Sequence, residues 1–315
     1  MRFLVTGGAG FIGSHIAERL LKEKYFVRVL DNFSSGKKEN LYFLSGAKFK
    51  PRFELLRGDI REKNICLKAC KGIDSVLHQA ALRSVPKSLL NPAAYNEVNI
   101  NGTLNMLEAA RENKVKSFVF ASSSSIYGEA TDFPEKEDFP PAPVSPYALS
   151  KLTGEHYCKI FSLAHGLPTV SLRYFNVFGP RQSLDDEYAV VIPKFINCLL
   201  HGRPFPIYGS GEQSRDFTYV DNVVEANILA AVKTGFSGEV FNAASGRDCS
   251  VLELARILNN LARKDPGIKF LPPRPGDVFR TLGDLSKSKK MLGYQAKTGF
   301  IDGLKLTLEY FETNA

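Results

Sequence analysis

A chain of 315 residues can bury one large core or two modest ones. Its 44% hydrophobic and 23% charged residues are ordinary for a soluble globular protein, and no uninterrupted apolar run is long enough to cross a bilayer. The net charge of +8 suits a small anionic substrate as well as a nucleic acid, but no helix-turn-helix, zinc-finger or aromatic RNA-binding pattern accompanies it. We therefore expect neither a membrane nor a nucleic-acid partner.

The five cysteines form an odd, scattered set in which only Cys66 and Cys70 are close in sequence. No second close pair and no histidine cluster completes a zinc site, so we expect no bound metal. We interpret all five as reduced thiols in a cytoplasmic protein, buried as small hydrophobic side chains.

The first half of the chain alternates short β-rich runs with longer helical patterns. Strands are predicted at Arg2–Thr6, Phe26–Leu30, Phe53–Arg57, Asp74–His78, Ser117–Ala121 and Thr169–Arg173. Apolar residues at three- and four-residue spacing predict helices between them, such as Phe11–Lys22 and Pro92–Asn113. Such alternation favours an α/β fold in which a doubly wound parallel sheet carries helices on both faces.

From residue 176 onward the pattern changes to longer loops, short strands and helices such as Val251–Ala262. A helix at Asp221–Lys233 and a strand at Gly238–Asn242 are predicted to return to the main sheet. We therefore expect a main domain of residues 1–175, rejoined by 215–245. A smaller C-terminal α/β region would comprise residues 176–214 and 246–315.

The first strand leads into the first helix through the sequence TGGAGFIG at residues 6–13. Gly7, Gly10 and Gly13 suit a tight turn, close approach of the backbone to a pyrophosphate, and free N–H groups at the helix N-terminus. Glycine spacing in isolation is a weak signal, but its place between a strand and a helix is the context that a dinucleotide site requires.

The ends of the next strands indicate which dinucleotide binds. Asp31 can bind both ribose hydroxyls of the adenosine and would repel a 2′-phosphate, and no arginine stands at 31 or 32, so NAD is favoured over NADP. Asp59 and Ile60 are placed to meet the adenine, and the small residues Ala80 and Ala81 let backbone approach the cofactor. His78, one histidine at a strand end, is interpreted as structural.

A third motif carries chemistry. The fifth strand runs into Ser122-Ser123-Ser124-Ser125, and Tyr147 and Lys151 lie four residues apart on one face of a predicted helix. A free tyrosine has a pKa of about 10, and a neighbouring ammonium and nicotinamide would stabilise its phenolate. A serine hydroxyl can relay the proton or hold the substrate hydroxyl.

With these motifs together, the chain resembles the extended short-chain dehydrogenase/reductases, and within them the UDP-hexose and UDP-N-acetylhexosamine 4-epimerases. The resemblance includes Arg173-Tyr174-Phe175-Asn176-Val177-Phe178-Gly179, Arg215-Asp216-Phe217 and Arg274-Pro275-Gly276-Asp277. It implies a Rossmann domain that binds NAD, a C-terminal region that binds the UDP-sugar, and a cytoplasmic homodimer in galactose metabolism or polysaccharide biosynthesis.

By position, the resemblance makes Ser123, Tyr147 and Lys151 the catalytic residues. It implies cofactor contacts from Gly7, Gly10, Phe11, Ile12, Gly13, Asp31, Asn32, Ser35, Gly36, Asp59, Ile60, Gln79, Ala80, Ala81, Asn99, Lys151 and Phe175. It implies substrate contacts from Ser84, Ser123, Ser124, Tyr147, Asn176, Val190, Tyr208, Arg215, Arg274, Asp277 and Thr281. Forked arginine donors suit a diphosphate, so Arg215 and Arg274 would close the C-terminal region over the substrate.

The residues after Ser123 narrow the reaction. The sugar 4,6-dehydratases resemble this chain but carry an Asp-Glu pair where Ser124 and Ser125 stand, and UDP-glucuronate decarboxylases carry a Glu there. The 3,5-epimerases need a further Cys or His near the sugar, and the sequence offers no candidate. Inversion at C4 through a transient 4-keto sugar remains. An NAD-dependent dehydrogenase that releases a keto-sugar and a non-catalytic NAD-binding scaffold are the alternatives.

The preferred sugar is predicted from three positions. Thr281 matches a bulky gatekeeper tyrosine of the strictly glucose/galactose-type enzymes, so a small residue there leaves room for a 2-acetamido group. Arg83 departs from the expected glycine and favours an acidic sugar, whereas Pro86 stands where the glucuronate-type 4-epimerases carry an arginine. These residues rank N-acetylhexosamine with hexose first, plain hexose second and uronate third.

Overall fold

The computed structural model describes residues 1–46, 48–184, 190–273 and 278–314. The strands are β1 (Arg2–Thr6), β2 (Phe26–Asp31), β3 (Phe53–Arg57), β4 (Ser75–His78), β5 (Ser117–Ser123), β6 (Thr169–Tyr174), β7 (Val177–Phe178), β8 (Phe205–Tyr208), β9 (Ser214–Asp216), β10 (Thr218–Tyr219), β11 (Glu239–Ala243), β12 (Asp248–Ser250) and β13 (Ile268–Leu271). Seven of them form a parallel sheet in the order β3-β2-β1-β4-β5-β6-β11. The predicted doubly wound α/β fold is confirmed.

The helices are α1 (Phe11–Lys22), α2 (Lys63–Cys70), α3 (Val85–Leu90), α4 (Pro92–Tyr95), α5 (Gly102–Glu112), α6 (Pro146–His165), α7 (Val191–Leu200), α8 (Val220–Val232), α9 (Val251–Ala262) and α10 (Phe300–Thr313). Side chains alternate between the two faces of the sheet. In β1, Phe3 and Val5 pack with α1 and α8 on one face, whereas Leu4 packs with α2, α5 and α6 on the other. Both faces of the sheet are therefore covered.

The predicted strands agree with the observed ones within two residues, and the helices Phe11–Lys22 and Val251–Ala262 are observed as predicted. One helix differs. The segment predicted as a single helix at Pro92–Asn113 consists of α4, a π-helical stretch at Asn96–Asn101, and α5. The wider π turn adds one residue per turn without interrupting the helix, so apolar periodicity does not reveal it.

Residues after β6 build a second layer of structure at the carboxyl ends of the strands. Three two-stranded sheets lie here, β7 with β10, β9 with β12 and β8 with β13. The predicted returning helix and strand correspond to α8 and β11, and β11 pairs parallel to β6 at the edge of the main sheet. The C-terminal segments therefore leave the main sheet at the carboxyl ends of β6 and β11.

In the part of the chain that the structure describes, no helix is both long and apolar enough to span a membrane. All five cysteines are free thiols with buried side chains, as expected.

Candidate active site

The turn after β1 has no room for side chains at two glycines. Gly7 adopts φ +65°, and a Cβ atom on it would lie 2.8 Å from the Cα atom of Ala80. A Cβ atom on Gly13 would lie 2.3 Å from the carbonyl oxygen of Gly7. The turn therefore packs directly between the end of β4 and the first turn of α1, which only glycine allows.

The N-terminus of α1 lies at this turn. Gly10 is the N-cap with extended backbone, and no side chain caps the helix. The first N–H groups of a helix have no partner within it, and together with the helix dipole they attract an anion. A glycine cradle beside an uncapped helix start fits the pyrophosphate of a dinucleotide. Phe11 and Ile12 flank it as half-buried residues.

Asp31 lies buried at the end of β2, beside the glycine turn. Its Oδ2 accepts a hydrogen bond from the Ala9 amide at 2.8 Å, and its Oδ1 accepts one from the Phe33 amide at 2.8 Å. Burial raises the pKa of this carboxyl, and the two amides oppose that shift. A Cβ atom on Gly36 would lie 3.0 Å from Asp31 Oδ1, so the loop follows the carboxylate closely, whereas Ser35 next to it is exposed.

The ends of β2 and β3 are joined through Asp59. Its carboxylate accepts from Asn32 Nδ2 at 2.8 Å and from Arg61 Nε at 3.0 Å and Nη2 at 2.8 Å. The hydrogen bonds from Arg61 hold the pKa of Asp59 below its usual value. Ile60 points into the core instead, where a Cβ atom on Gly102 would come within 2.6 Å of it.

The segment after β4 is held by buried polar side chains. Asn99 binds both backbone groups of Leu82, at 2.8 Å to its amide and 3.0 Å to its carbonyl, and its Nδ2 also reaches Ser150 Oγ at 3.0 Å. The Tyr95 hydroxyl donates to the carbonyl oxygens of Arg83 and Ser84 at 2.6 and 2.9 Å. Asn99 thereby shapes the segment that contains Ala80, Ala81 and Ser84.

Gln79 is fixed by neighbours on two other elements. Its Oε1 accepts from the Tyr174 hydroxyl at 3.0 Å, and its Nε2 donates to Asn227 Oδ1 at 3.0 Å. Phe175, the next residue after Tyr174, has a fully buried side chain in contact with the ring of Tyr127. A contact of Phe175 with a cofactor would therefore have to come through its backbone.

His78 is structural, as predicted. Its Nδ1 lies 2.7 Å from Thr6 Oγ1 and its Nε2 lies 3.1 Å from Thr103 Oγ1. Because Thr103 donates its own proton to the Asn99 carbonyl at 2.6 Å, its oxygen accepts from Nε2, which assigns the ring proton to Nε2. Burial lowers the pKa of His78 to about 3, so the ring is neutral.

The structure brings Ser123, Tyr147 and Lys151 together. Ser123 lies near enough to the Tyr147 hydroxyl to lower its pKa, and the Lys151 Nζ lies 5.9 Å from the centroid of the Tyr147 ring. The Ser125 hydroxyl donates to Ser123 Oγ at 2.9 Å. Ser124 begins a short 3₁₀ helix that runs to Tyr127. The Ser123 hydroxyl thus lies between Tyr147 and Ser125, at the carboxyl end of β5.

Burial favours the uncharged forms of both Tyr147 and Lys151, whereas polar neighbours favour the phenolate of Tyr147. Burial raises the pKa of Tyr147, and the hydrogen bond from Ser123 and the charge of Arg83 oppose that shift. Burial lowers the pKa of Lys151 to about 8. Lys151 Nζ donates to the Ala121 carbonyl at 2.8 Å, which fixes its position at the end of β5.

Helix α6, which carries Tyr147 and Lys151, has defined ends and a buried anchor. Ser145 caps its start by accepting from the Ala148 amide at 3.1 Å. Glu155 accepts from Arg173 on β6 through two hydrogen bonds of 2.9 Å, and from Ser122 on β5 at 2.6 Å. This ion pair fixes the helix against the two strands next to Ser123, Tyr147 and Lys151.

Glu155 has no part in the site predicted from the sequence, although it continues the four-residue spacing of Tyr147 and Lys151 on the same helix face. Arg173 was noted only as part of a motif. A charged residue within the apolar strand Thr169–Tyr174 indicates a buried partner. That signal could have identified the pair.

Five of the predicted substrate residues, Asn176, Val190, Tyr208, Arg215 and Thr281, lie on described segments that follow β6. Asn176 has φ +28°, and its Nδ2 donates to Thr281 Oγ1 at 3.0 Å. Arg215 is buried, and its Nη1 donates to the carbonyls of Ser214 and Phe279 at 2.8 and 3.2 Å. Lys194 Nζ reaches the Tyr208 hydroxyl at 3.4 Å, and Val190 is an exposed N-cap of α7. The predicted substrate residues Arg274 and Asp277 lie outside the described residues.

Similarity to known proteins covers the whole chain. The family model described as "NAD dependent epimerase/dehydratase family" matches residues 3–244. The UDP-glucose 4-epimerase of Mycolicibacterium smegmatis is 36% identical and covers 100% of both chains.

Two solved structures have the same fold over their full lengths. The UDP-N-acetylglucosamine 4-epimerase from Methanobrevibacter ruminantium M1, in complex with UDP-N-acetylmuramic acid, is 40% identical with a TM-score of 0.94, covering 100% of this chain and 99% of that one. The UDP-glucuronic acid 4-epimerase from Bacillus cereus, in complex with UDP-glucuronic acid and NAD, is 34% identical with a TM-score of 0.92, covering 100% of both chains.

The glycine cradle, Asp31 at the end of β2 and the group of Ser123, Tyr147 and Lys151 all lie at the carboxyl ends of the strands of the main sheet. This is the arrangement that an NAD-dependent oxidation of a hydroxyl group requires. With the family match, it confirms both the resemblance drawn from the sequence and the predicted cofactor. The chain belongs to the NAD dependent epimerase/dehydratase family of the short-chain dehydrogenase/reductases, and it is an enzyme of that family.

Proposed function

We propose that the protein is a UDP-sugar 4-epimerase, which inverts C4 of its substrate through a transient 4-keto sugar. The observation that carries the proposal is the juxtaposition of Tyr147 and Ser123 at the end of β5, with Lys151 one turn further along the same helix. This group lies at the sheet edge that also holds the glycine cradle.

Gly7, Gly13 and Asp31 would hold NAD, which would supply a hydride acceptor for C4 of the sugar and a donor for its return. Tyr147 takes the proton of the C4 hydroxyl, and Ser123 holds that hydroxyl or relays the proton. Lys151 stabilises the phenolate by its charge, which it retains at neutral pH because its pKa is about 8. The same residues act in reverse when the other face of the keto sugar is reduced.

Dehydration or decarboxylation would need a further acid or base beside the sugar. Ser124 and Ser125 stand at those positions, and Ser125 donates its proton to Ser123. A hydroxyl group is a poor substitute for a carboxylate in proton transfer at neutral pH. This composition supports epimerisation over elimination of water or loss of a carboxyl group.

Epimerisation also requires the keto sugar to turn while the nucleotide stays bound. A firm hold on UDP is supported by Asn176 and by the buried Arg215, whose guanidinium is fixed by two carbonyls. Arg274 and Asp277, outside the described residues, would complete this hold. The sugar itself would be held loosely.

For the sugar, we propose UDP-N-acetylglucosamine/UDP-N-acetylgalactosamine together with UDP-glucose/UDP-galactose. The small, buried Thr281 supports room for an acetamido group. The relatives named above act on UDP-glucose, UDP-N-acetylglucosamine and UDP-glucuronic acid, so similarity alone does not distinguish these sugars.

A UDP-glucuronate-type 4-epimerase is the second candidate. The charge of Arg83 acts on the Tyr147 hydroxyl, so a carboxylate on the sugar would meet a cation near the reacting carbon. Pro86, where an arginine is expected for glucuronate-type enzymes, ranks this candidate lower.

We also propose that residues 1–175 with 215–245 bind NAD, and that residues 176–214 and 246–315 bind the UDP-sugar. A cytoplasmic homodimer is supported by the free, buried thiols and by an exposed apolar face of α6 that contains Leu149, Ile160 and Leu163. Sedimentation of Leu163→Glu tests the dimer: a wild-type dimer should become a monomer, and an unchanged dimer would exclude this face as its interface.

The decisive experiment incubates the purified protein separately with UDP-glucose and UDP-N-acetylglucosamine, without added NAD, and follows C4 inversion by NMR. Tyr147→Phe should abolish inversion, and Tyr310→Phe on the distant α10 should not. If the wild-type protein inverts neither sugar and no related nucleotide sugar reacts in a Tyr147-dependent way, the proposal fails. Inversion of UDP-glucuronate alone would favour the second candidate.

A further inference from the structure

Residues 281–284 form an irregular strand that we call the wall segment. Thr281, its first residue, is fixed on three sides: its amide donates to the Ser214 carbonyl at 3.2 Å, and its Oγ1 accepts from Asn176 Nδ2 at 3.0 Å and from the Asp216 amide at 3.2 Å. Gly283 donates its amide to Asp216 Oδ2 at 3.3 Å. The position of Thr281 therefore depends on contacts along the whole segment.

Glu135 binds the wall segment through both its backbone and its side chain. Its amide donates to the Leu282 carbonyl at 2.7 Å, and its carbonyl accepts from the Asp284 amide at 2.8 Å. Its Oε2 accepts from the Leu282 amide at 3.1 Å. The side chain thus provides the acceptor for the amide directly after Thr281.

The wall segment has no room to move toward the sheet. A Cβ atom on Gly283 would lie 2.7 Å from Ala244 Cβ and 3.1 Å from Phe175 Cζ. With the inner side filled, the segment can shift only away from the sheet. The hydrogen bond from Leu282 to Glu135 opposes that shift.

The Glu135 side chain is fully buried, and its Oε1 has no hydrogen-bond partner among the described residues. Burial raises the pKa of this carboxyl to about 7; the nearby Asp216 adds to the shift, while the Leu282 amide and the charges of Arg173 and Arg215 oppose it. The carboxyl is therefore largely protonated below neutral pH. Above neutral pH it becomes a buried charge, which favours opening toward water.

We propose that Glu135 is a positioning residue for sugar specificity, because it holds the wall segment so that Thr281 stays clear of the 2-substituent of the sugar. The inference rests on the proposed function, in which Thr281 borders the sugar. Without the acceptor on Glu135, the wall segment can move away from the sheet. Binding of the larger acetamido sugar should then weaken more than binding of the plain hexose.

The test measures binding of UDP, UDP-glucose and UDP-N-acetylglucosamine to the NAD-containing protein by calorimetry. Glu135→Leu should weaken UDP-N-acetylglucosamine about tenfold more than UDP-glucose, with UDP alone affected least. Glu135→Gln keeps an acceptor for Leu282 and should match the wild type at about pH 6. Asp138→Asn, an exposed acid on the same loop, is the matched control and should change nothing.

The pH series provides a readout that a loss of folding does not imitate. Between about pH 6 and about pH 8.5 the wild type should lose affinity for UDP-N-acetylglucosamine relative to UDP, whereas Glu135→Gln should lose none. Equal pH dependence in both proteins would overturn the proposal, as would an unchanged sugar preference in a folded Glu135→Leu. If Glu135→Leu does not fold, the comparison of the wild type with Glu135→Gln decides.

Binding separates this inference from the proposed function. If the wild type binds the sugars but inverts neither, the epimerase proposal fails, while the effect of Glu135 on the affinity ratio is still measured. If inversion is observed and the ratio does not respond to Glu135, only the positioning role is wrong.

Discussion

Lys151 Nζ lies 5.9 Å from the centroid of the Tyr147 ring and donates to the carbonyl oxygen of Ala121 at 2.8 Å. Helix α6, which carries both residues, thus holds the Lys151 ammonium at the end of β5 and beside the Tyr147 ring. The position of this charge relative to the phenol is set by the fold before any ligand binds.

Replacing Lys151 removes the charge that favours the phenolate. Lys151→Met should lower kcat about a hundredfold to a thousandfold, with a smaller change in KM. Because burial lowers the pKa of Lys151 to about 8, its charged fraction decreases above that pH, and the wild-type rate should lose this support there. Steady-state kinetics across pH check both statements. Lys159→Met, exposed on the same helix, should behave as the wild type.

The buried ion pair of Glu155 and Arg173 should be sensitive to the loss of one partner. Glu155→Gln leaves the buried Arg173 guanidinium opposite a neutral amide with a single acceptor oxygen, so the free energy of unfolding should fall by about 3 kcal/mol. Loss of the exposed Lys116 side chain, which pairs with Asp74, should lower the free energy of unfolding by less than about 1 kcal/mol. Denaturant titration of Glu155→Gln and Lys116→Met compares them. Equal losses would show that burial does not strengthen the first pair.

The glycine cradle makes a prediction for cofactor retention. Gly13→Ala places a methyl group against the Gly7 carbonyl, so the purified variant should contain little or no NAD. Gly299→Ala, at the start of α10, meets Asp302 Oδ2 at 3.6 Å, an ordinary van der Waals contact, and should retain the wild-type amount. The NAD content per chain, measured after denaturation, gives the answer. A Gly13→Ala protein with full NAD would mean that the turn rearranges without cost.

Thr281 offers a separate test of the sugar. Thr281→Tyr should lower kcat/KM for UDP-N-acetylglucosamine at least about tenfold more than for UDP-glucose, since a large side chain fills the space of the acetamido group. Thr281→Ser keeps the hydroxyl that accepts from Asn176 and the Asp216 amide, and should leave both sugars within about threefold of the wild type. If Thr281→Tyr affects both sugars equally, the gatekeeper interpretation is wrong.

Glu135 also predicts the pH dependence of stability. Its pKa rises from 4.5 to about 7 on folding, so the folded state binds the proton more tightly than the unfolded state. The resulting stability is fully present below about pH 4.5 and is lost as the pH rises through 7, by at most about 3 kcal/mol. Glu135→Gln should remove this part of the pH dependence. Urea unfolding of both proteins at several pH values measures it.

Local pattern was enough to predict much of the fold. The glycine turn, the alternation of strands and helices, and the spacing of Tyr147 and Lys151 are encoded within a few residues of one another. The same holds for the strand at Thr169–Tyr174, whose residues are all buried.

Contacts between distant parts of the chain could not be predicted in this way. Glu135 follows a proline in a loop, and nothing near it in sequence indicates that it binds Leu282, which is 147 positions away. The roles of Asn99 and Phe175 were also open, since a motif position does not reveal whether a side chain faces a ligand or the core. Asn99 holds the backbone of Leu82, and Phe175 is buried.

The neutral ring of His78 has a wider consequence. Thr6, at the glycine turn, bonds to His78, which bonds to Thr103, and Thr103 donates to the carbonyl of Asn99. Asn99 in turn donates to Ser150, whose hydroxyl donates to the carbonyl of Tyr147 itself. A chain of hydrogen-bonded side chains and backbone groups therefore connects the glycine turn to Tyr147 through the interior. Substitution of His78 or Thr103 in the middle of this chain, far from either ligand, should weaken NAD binding and slow the reaction together.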